Sequence, residues 1–146
     1  MTKRKIAYCY NVEDFRELAR KRLPSPMFHY IDGAAEDEWT YRRNTLAFNE
    51  HELVPRFLID VENIDTSVEV LGQKISWPFL CSPTGFHRLF HHDGEAGAAR
   101  AASRTGTIFC LSTISTTTIE EVAQSSEGPK VFQIYVLRDR GLSEEY

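Results

Sequence analysis

The sequence has few cysteines, and they are far apart. Cys9, Cys81 and Cys110 form no C-x-x-C pair, which favours reduced thiols over disulfides or a zinc site. No apolar run approaches the roughly 20 residues of a membrane span. The basic cluster 3–5 is followed by too short a segment for the apolar core of a signal peptide. These absences predict a soluble, cytoplasmic protein.

The sequence also lacks an excess of positive charge. Its 17 basic and 21 acidic residues give a formal charge of −4. Nucleic-acid binding selects basic surfaces, so this balance argues against a nucleic-acid partner. With 42% hydrophobic, 12% aromatic and only 26% charged residues, the chain has the composition of a globular domain rather than of a disordered segment.

Residues 1–66 carry helical signals. Asn11 can cap a helix whose apolar positions recur at helical spacing, and Pro24 and Pro26 end it. A second helix is predicted to open at Pro26, and a third to run from Glu36 to Asn49. The acidic run 36–38 is interpreted as charge at a helix N-terminus rather than as an acid/base pair.

Between residues 67 and 78 the apolar period changes from helical to alternating. Val68 and Val70 alternate with polar neighbours, as do Ile75 and Trp77, and Leu71-Gly72-Gln73 between them supplies a turn. This pattern predicts a β-hairpin.

Residues 79–146 alternate strand and helix signals with short connections. The predicted elements are strands 79–81, Thr107–Leu111 and Val131–Val136, helices Gly94–Arg104 and Ile119–Gln124, and a helix that begins at Leu142. Thr117 and Glu120 have the spacing of a capping box for the second of these helices. The order predicts parallel βαβ units, hence an α/β fold whose strands are covered on both faces.

Polar or small residues stand at the predicted carboxyl ends of the three strands: Ser82-Pro83-Thr84-Gly85, Ser112-Thr113-Ile114 and Gln133-Ile134-Tyr135. Ligands of α/β folds bind at such ends. For any single loop, turn and cap formation explains Ser, Thr and Gly equally well. Gln133 and Tyr135 fit that explanation less well, because the prediction places both in a buried strand, on one face, where each needs a partner. A flat ligand with polar edges would satisfy them.

These strand ends, together with residues 30–40 (YIDGAAEDEWT), resemble the N-terminal half of the FMN-dependent α-hydroxy-acid oxidising family. That family includes glycolate oxidases, L-lactate dehydrogenases and mandelate dehydrogenases. The matching segments occur in the family's order and span essentially the whole chain.

The resemblance implies the first part of a (β/α)8 TIM barrel with FMN at its mouth, and oxidation of an (S)-2-hydroxy acid to the 2-oxo acid. A complete barrel takes about 250 residues, so 146 residues with an N-terminal helical region correspond to its front portion, with a third βα unit that is incomplete. By resemblance, Pro83, Thr84, Gly85, Ser112 and Gln133 bind the flavin, and Tyr30 and Tyr135 contact the substrate.

Two positions depart from the family pattern. Ile114 stands where the glycolate oxidases of the family carry Trp, which implies a differently shaped pocket for the substrate side chain and favours lactate or a larger acid over glycolate. Gly85 stands where many members have Ala. The second departure does not decide between an oxidase and a dehydrogenase.

The resemblance places the His general base, the carboxylate-binding Arg residues and a Lys beside the flavin in the second half of the barrel. None of the five histidines in this chain matches that base. The electron acceptor (oxygen, a quinone or a cytochrome) stays open, as does peripheral membrane association. The full-length protein is expected to be a homo-oligomer.

Two alternatives accompany this interpretation. The chain could be a truncated, non-catalytic product that acts only as a packing or regulatory partner, which a reading frame ending at Tyr146 would favour. His87, His91, His92 and Asp93 could form a metal site, but Asp93-Gly94 interrupts the stretch and a solvated loop is expected instead.

Overall fold

The computed structural model describes residues 6–144. The chain divides between residues 60 and 61 into two compact units, a helical one and a mixed α/β one. None of the helices between residues 6 and 144 combines the length and the apolar character needed to cross a bilayer.

The first unit contains the helices α1 (Val12–Arg22), α2 (Ser25–Asp32) and α3 (Trp39–Leu46). The predicted cap of α1 is confirmed, because Asn11 Oδ1 accepts a hydrogen bond from the backbone N–H of Asp14 at 2.8 Å. Helix α2 begins one residue before the predicted start. Arg16 on α1 donates from Nε to Asp32 Oδ1 on α2 at 2.5 Å and from Nη2 to Asp32 Oδ2 at 3.0 Å. A bidentate ion pair therefore joins the two helices.

The third helix is shorter than the prediction of Glu36–Asn49. Glu36 and Glu38 have φ values of 50° and 56°, a left-handed conformation that an α-helix does not contain. Helix α3 therefore begins at Trp39 with Glu38 as its N-cap residue, and a 3-10 turn, Ala47–Glu50, follows it. Glu38 Oε1 accepts from the backbone N–H of Ala34 at 3.2 Å, so part of the acidic run closes a local turn.

The second unit opens with the predicted hairpin, which is confirmed. Strands β1 (Val68–Val70) and β2 (Gln73–Ile75) pair antiparallel, with Val68 opposite Ile75. Leu71 and Gly72 both have positive φ, 52° and 71°, as a two-residue type I′ turn requires. Trp77 lies beyond β2, and its indole N–H donates to the carbonyl of Thr105 at 3.0 Å.

The remaining elements of the unit are α4 (Gly94–Thr105), β3 (Phe109–Ser112), α5 (Ile119–Ser125), β4 (Lys130–Gln133) and α6 (Arg140–Glu144), with a 3-10 turn at His87–Leu89. Strands β3 and β4 are parallel, and Ser112 lies opposite Gln133. The predicted strand 79–81 is reduced to a single parallel bridge between Cys81 and Phe109. The predicted βαβ order is confirmed, while the predicted strand Val131–Val136 ends three residues early.

Strand β3 is buried on both faces, as expected for a parallel strand. Phe109 and Leu111 pack with Ala99, Ala102 and Val122 of the two helices. On the opposite face Cys110 packs with Ile75 and Ile108. Alternate residues of one strand thus join the helices to the hairpin, and the core of the unit fixes where β3 ends.

The capping box of α5 differs by one residue from the prediction. Thr118, rather than Thr117, is the N-cap residue, and it exchanges hydrogen bonds with Glu121 rather than Glu120. Thr118 Oγ1 accepts from the Glu121 N–H at 3.2 Å, and the Thr118 N–H donates to Glu121 Oε2 at 3.0 Å. The hydroxyl of Thr117 donates instead to Glu95 Oε2 at 2.6 Å.

Candidate active site at the strand ends

Polar groups meet where β3 and β4 end. Ser112 Oγ donates to Gln133 Oε1 at 3.2 Å, and the backbone N–H of Thr113 donates to the same oxygen at 3.4 Å. Thr113 Oγ1 donates to the Gln133 carbonyl at 2.5 Å. Because Ser112 and Gln133 are opposite each other in the ladder, these two side chains lie together at the carboxyl ends of β3 and β4.

Contrary to the prediction, Gln133 does not need a ligand as the partner of its side-chain oxygen. The side-chain oxygen of Gln133 already has protein partners, Ser112 and Thr113, so a ligand is not required to satisfy it. Both of these hydrogen bonds use Oε1, and an amide also has two N–H donors. Those donors, on a half-buried side chain at the end of β4, are what Gln133 can offer to a ligand.

The position of Tyr135 also differs from the prediction. The residue lies two positions after the end of β4 and is half exposed (50%), so its phenol is not buried in a strand. Its backbone N–H donates to Thr113 Oγ1 at 2.9 Å. That bond places the start of the 134–139 segment beside the end of β3, and the Tyr135 side chain stays partly open to solvent.

The loop after Cys81 approaches the loop after β3. A Cβ atom at Gly85 would lie 2.5 Å from Ile114 Cγ1 and 2.7 Å from Ile114 Cδ1, and the Phe86 N–H donates to the Ile114 carbonyl at 3.1 Å. Gly85 and Ile114 are therefore in direct contact. Pro83 and Thr84, earlier in the same loop, are exposed.

Tyr30 belongs to the first unit. It lies in α2 and is 57% exposed. The remaining predicted site residues all belong to the second unit.

The histidine-rich loop before α4 holds a small cluster of ligand-type groups. One ligand atom from each of His91, His92 and Asp93 lies within 4.8 Å of the others, and all three residues are exposed. Arg100 Nη2 lies 3.3 Å from Asp93 Oδ2, and His91 Nδ1 accepts from the Asp93 N–H at 3.2 Å. A neighbouring cation and an occupied ring nitrogen oppose metal binding here, and the expectation of no metal site stays a prediction.

Glu95, which no sequence motif indicated, is a fully buried carboxylate in the first turn of α4. Its Oε1 accepts from the backbone N–H groups of Thr116 and His87 at 2.7 and 3.2 Å. Its Oε2 accepts from the hydroxyls of Thr116 and Thr117 at 2.7 and 2.6 Å. An acidic residue one position inside a predicted helix, followed about twenty residues later by adjacent threonines, was the only signal in the sequence.

Burial and hydrogen bonding act in opposite directions on the Glu95 carboxyl. Burial by itself raises its pKa, but the donors from Thr117 and Thr116 favour the charged form more strongly, and the resulting pKa is about 2. The N-terminal end of α4 also favours a negative charge at this position. Glu95 is therefore ionised at neutral pH although no solvent reaches it.

The arrangement can bind a neutral, flat, polar-edged molecule at the ends of β3 and β4. The groups around it are hydroxyls, amides and backbone, with no charged side chain among Ser112, Thr113 and Gln133. Such donors suit a ring system that gains electron density on reduction, because they stabilise it without a permanent charge. The chemistry of the residues thus fits the isoalloxazine ring of a flavin.

Comparisons with known proteins agree with this chemistry. A family profile described as FMN-dependent dehydrogenase matches residues 19–146. The chain is 44% identical over 135 residues to glycolate oxidase 1 of Oryza sativa subsp. indica, an alignment that covers 92% of this chain and 37% of that protein.

Two solved structures are also similar. A soluble mutant of the membrane-associated (S)-mandelate dehydrogenase of Pseudomonas putida superimposes with a TM-score of 0.86 at 39% identity, covering 93% of this chain and 39% of that one. A mutant flavocytochrome b2 with pyruvate bound has a TM-score of 0.91 at 28% identity, covering 97% and 38%.

The chain thus spans a little over a third of the length of the relatives it matches. The profile match covers most of the chain and includes every predicted site residue. This chain belongs to the FMN-dependent dehydrogenase family.

Proposed function

We propose that the protein containing this chain oxidises an (S)-2-hydroxy acid to the corresponding 2-oxo acid, with FMN as the immediate electron acceptor. The cluster of Ser112, Thr113 and Gln133 at adjacent strand ends carries this proposal, with the Gly85–Ile114 contact beside it. Family membership and relatives that are named as glycolate oxidase and mandelate dehydrogenase support it. In this proposal the segment at Cys81 is the first strand of a (β/α)8 barrel, and β3 and β4 are its second and third strands.

The flavin-binding residues in the proposal are those at the strand ends. Ser112 and the amide N–H groups of Gln133 hold the polar edge of the ring, while Pro83, Thr84 and Gly85 line its reactive side. When bound, FMN supplies a two-electron acceptor. The residues of this chain supply orientation and a neutral hydrogen-bonding surface.

The proposal assigns contacts with the substrate to two phenols. Tyr30 and Tyr135 orient its carboxylate and hydroxyl groups, and Ile114 bounds the space for its side chain, which favours a lactate-like acid. The hydroxyl proton leaves to a base, and the hydrogen on Cα leaves with two electrons, so the carbon becomes a carbonyl. The base and the cationic groups that bind the carboxylate come from parts of the protein outside this chain.

Oxygen, a quinone and a cytochrome remain the candidate acceptors for reoxidation. Homo-oligomerisation of the full-length protein and a cytoplasmic location, with or without peripheral membrane association, stay predictions.

The flavin assignment is tested by Gln133→Leu in the full-length protein, with Gln124→Leu on the exposed face of α5 as the matched control. Loss of the amide should cost roughly 1–3 kcal/mol of flavin binding or lower the reduction potential, because a polar ligand atom is left unsatisfied. The control should retain its flavin. Tyr135→Phe should keep the flavin and lower turnover. Full flavin occupancy and an unchanged potential in Gln133→Leu would contradict the site at β4.

The substrate assignment is tested by Ile114→Trp, with Ile119→Trp on α5 as the control. Ile114 already fills the space over Gly85, so a larger ring should crowd the pocket and cost about 1–3 kcal/mol of activity on longer 2-hydroxy acids. Activity on glycolate should fall less. The test is to measure turnover rates on 2-hydroxy acids of increasing carbon-chain length. An equal loss on every acid would mean that Ile114 does not face the substrate.

A further inference from the structure

We propose that Glu95 is a positioning residue that sets the spacing of two loops beside the proposed flavin site. These are loop A, residues 82–89, and loop B, residues 113–118. Glu95 itself lies in neither loop, and the inference rests on the proposed function only where it concerns catalysis.

A single oxygen of Glu95 connects the two loops. Oε1 accepts from the backbone N–H of His87 in loop A and from that of Thr116 in loop B, at 3.2 and 2.7 Å. The distance between these two amides is therefore limited by one acceptor atom. Oε2 strengthens the hold on loop B through the hydroxyls of Thr116 and Thr117.

The backbone amides on either side of His87 also donate hydrogen bonds to loop B. Phe86 N–H donates to the Ile114 carbonyl at 3.1 Å, and Arg88 N–H donates to Thr116 Oγ1 at 3.2 Å. Three successive amides of loop A thus bind either loop B or the carboxylate that holds it. The first of these bonds lies next to the Gly85–Ile114 contact, so the geometry that Glu95 imposes extends to residues of the proposed site.

The chemistry of the contacts requires the ionised acid. Four donors converge on two oxygens, and a carboxylate is an acceptor on both, whereas an amide keeps one acceptor and turns two N–H groups toward existing donors. An unpaired buried charge would be costly. At Glu95 the charge is fully hydrogen-bonded, and the bonds go to backbone and hydroxyl groups of loops rather than to a cation.

A general contribution to stability is the simpler explanation of such a residue. It would predict that variants unfold more easily while the folded protein keeps its loop geometry and its turnover. A positioning role predicts that both loops change together in protein that remains folded. The two explanations are therefore separable by experiment.

The first experiment measures amide hydrogen exchange in full-length Glu95→Gln, with Glu121→Gln as the matched control. Glu121 is also a hydrogen-bonded carboxylate, but it caps only its own helix. We expect exchange at His87, Thr116 and Phe86 to be faster on the order of tenfold in Glu95→Gln, with Val122 in α5 unchanged. Wild-type rates in both loops would overturn the proposal.

The second experiment measures kcat, KM and the visible flavin spectrum at saturating FMN, well below the unfolding temperature. A displaced loop should lower kcat on the order of 10- to 100-fold and shift the spectrum, while Glu121→Gln stays close to wild type. A Glu95→Gln protein with a lower Tm but normal kcat and spectrum would reduce Glu95 to a stabilising residue and overturn its positioning role.

A milder variant covers the case in which Glu95→Gln does not fold. Thr117→Val removes one hydroxyl donor and leaves the carboxylate with both loop amides, so smaller effects in the same direction are expected on exchange and on kcat. Wild-type behaviour in both would overturn the proposal. If the wild-type protein bound no FMN, the proposed function and the catalytic half of this inference would fall together, and the exchange rates would still decide the loop positioning.

Discussion

Buried charge and close packing at individual residues determine the geometry of the candidate site. At Glu95 a carboxylate without solvent contact accepts four hydrogen bonds. At Gly85 the absence of a side chain lets Ile114 approach closer than a Cβ atom would permit. Gly85 lies in the loop after Cys81, and Glu95, on α4, accepts from this loop and from the loop after β3, where small shifts change the surface presented to a ligand.

The lowered pKa of Glu95 predicts a dependence of stability on pH. A glutamate carboxyl with a pKa of about 2 in the folded state, below its ordinary value of 4.5, stabilises the folded state at pH values above 4.5, and this contribution is lost as the pH falls toward 2. Near neutral pH, the free energy of unfolding of the full-length wild type should exceed that of Glu95→Gln by on the order of 3 kcal/mol. The difference should shrink in acid.

Urea unfolding between pH 7 and pH 3 measures this difference. The charged and titratable neighbours are His87, Arg88 and Asp93, and Asp93 pairs with Arg100. They are present in both proteins, which differ only at residue 95. A difference that did not change with pH would assign the effect to packing rather than to the charge.

Among the elements, α5 is preceded by two overlapping capping-box patterns, and only one of them caps the helix. Thr117/Glu120 and Thr118/Glu121 both have the spacing of a capping box. The second pair caps the helix because the Thr117 hydroxyl, which is buried, donates to Glu95. A tertiary contact thus selects the register of the helix start.

This selection predicts that a substitution in the Thr118/Glu121 capping box destabilises the protein more than one in the Thr117/Glu120 pair. Thr118→Ala should destabilise the full-length protein by about 1 kcal/mol, since it removes the acceptor for the Glu121 amide. Glu120→Gln should be nearly neutral, because Glu120 is exposed and lies outside the capping box. Chemical denaturation of the two variants compares them directly, and a larger effect at Glu120 would restore the alternative cap.

On the scale of the whole molecule, many large apolar side chains are exposed. They are frequent between residues 46 and 64, where Leu53, Val54, Phe57 and Leu58 are each more than 80% accessible. Strand β4 pairs only with β3 among the described strands, so one of its edges is open. Exposed apolar surface and open strand edges both favour association.

Residues 1–146 expressed alone should therefore be oligomeric, aggregated or partly unfolded. Gel filtration with light scattering, together with a thermal melt, tests this expectation. The longer protein should run as a defined species, because additional chain can cover the apolar residues and pair with the β4 edge. A sharp monomeric peak with a cooperative transition for residues 1–146 would instead identify a self-contained domain.

Much of the fold follows from local sequence signals. Asn11 caps α1, Leu71-Gly72 turns the hairpin, and the apolar runs around residues 109–112 and 130–133 pair as parallel strands. Each of these features depends on backbone preferences or on apolar periodicity within a few residues. The placement of Ser112 and Gln133 at the carboxyl ends of parallel strands depends on the same signals.

Other features were decided only by the tertiary structure. The sequence does not reveal that Gln133 Oε1 is satisfied by Ser112 and Thr113, or that Tyr135 lies outside the strand. Nor does it reveal that Glu95 accepts bonds from residues about eight and twenty positions away. Periodicity determines which face of an element is apolar, but a buried hydrogen bond depends on which loops the packed core brings together, and that information is not local in the chain.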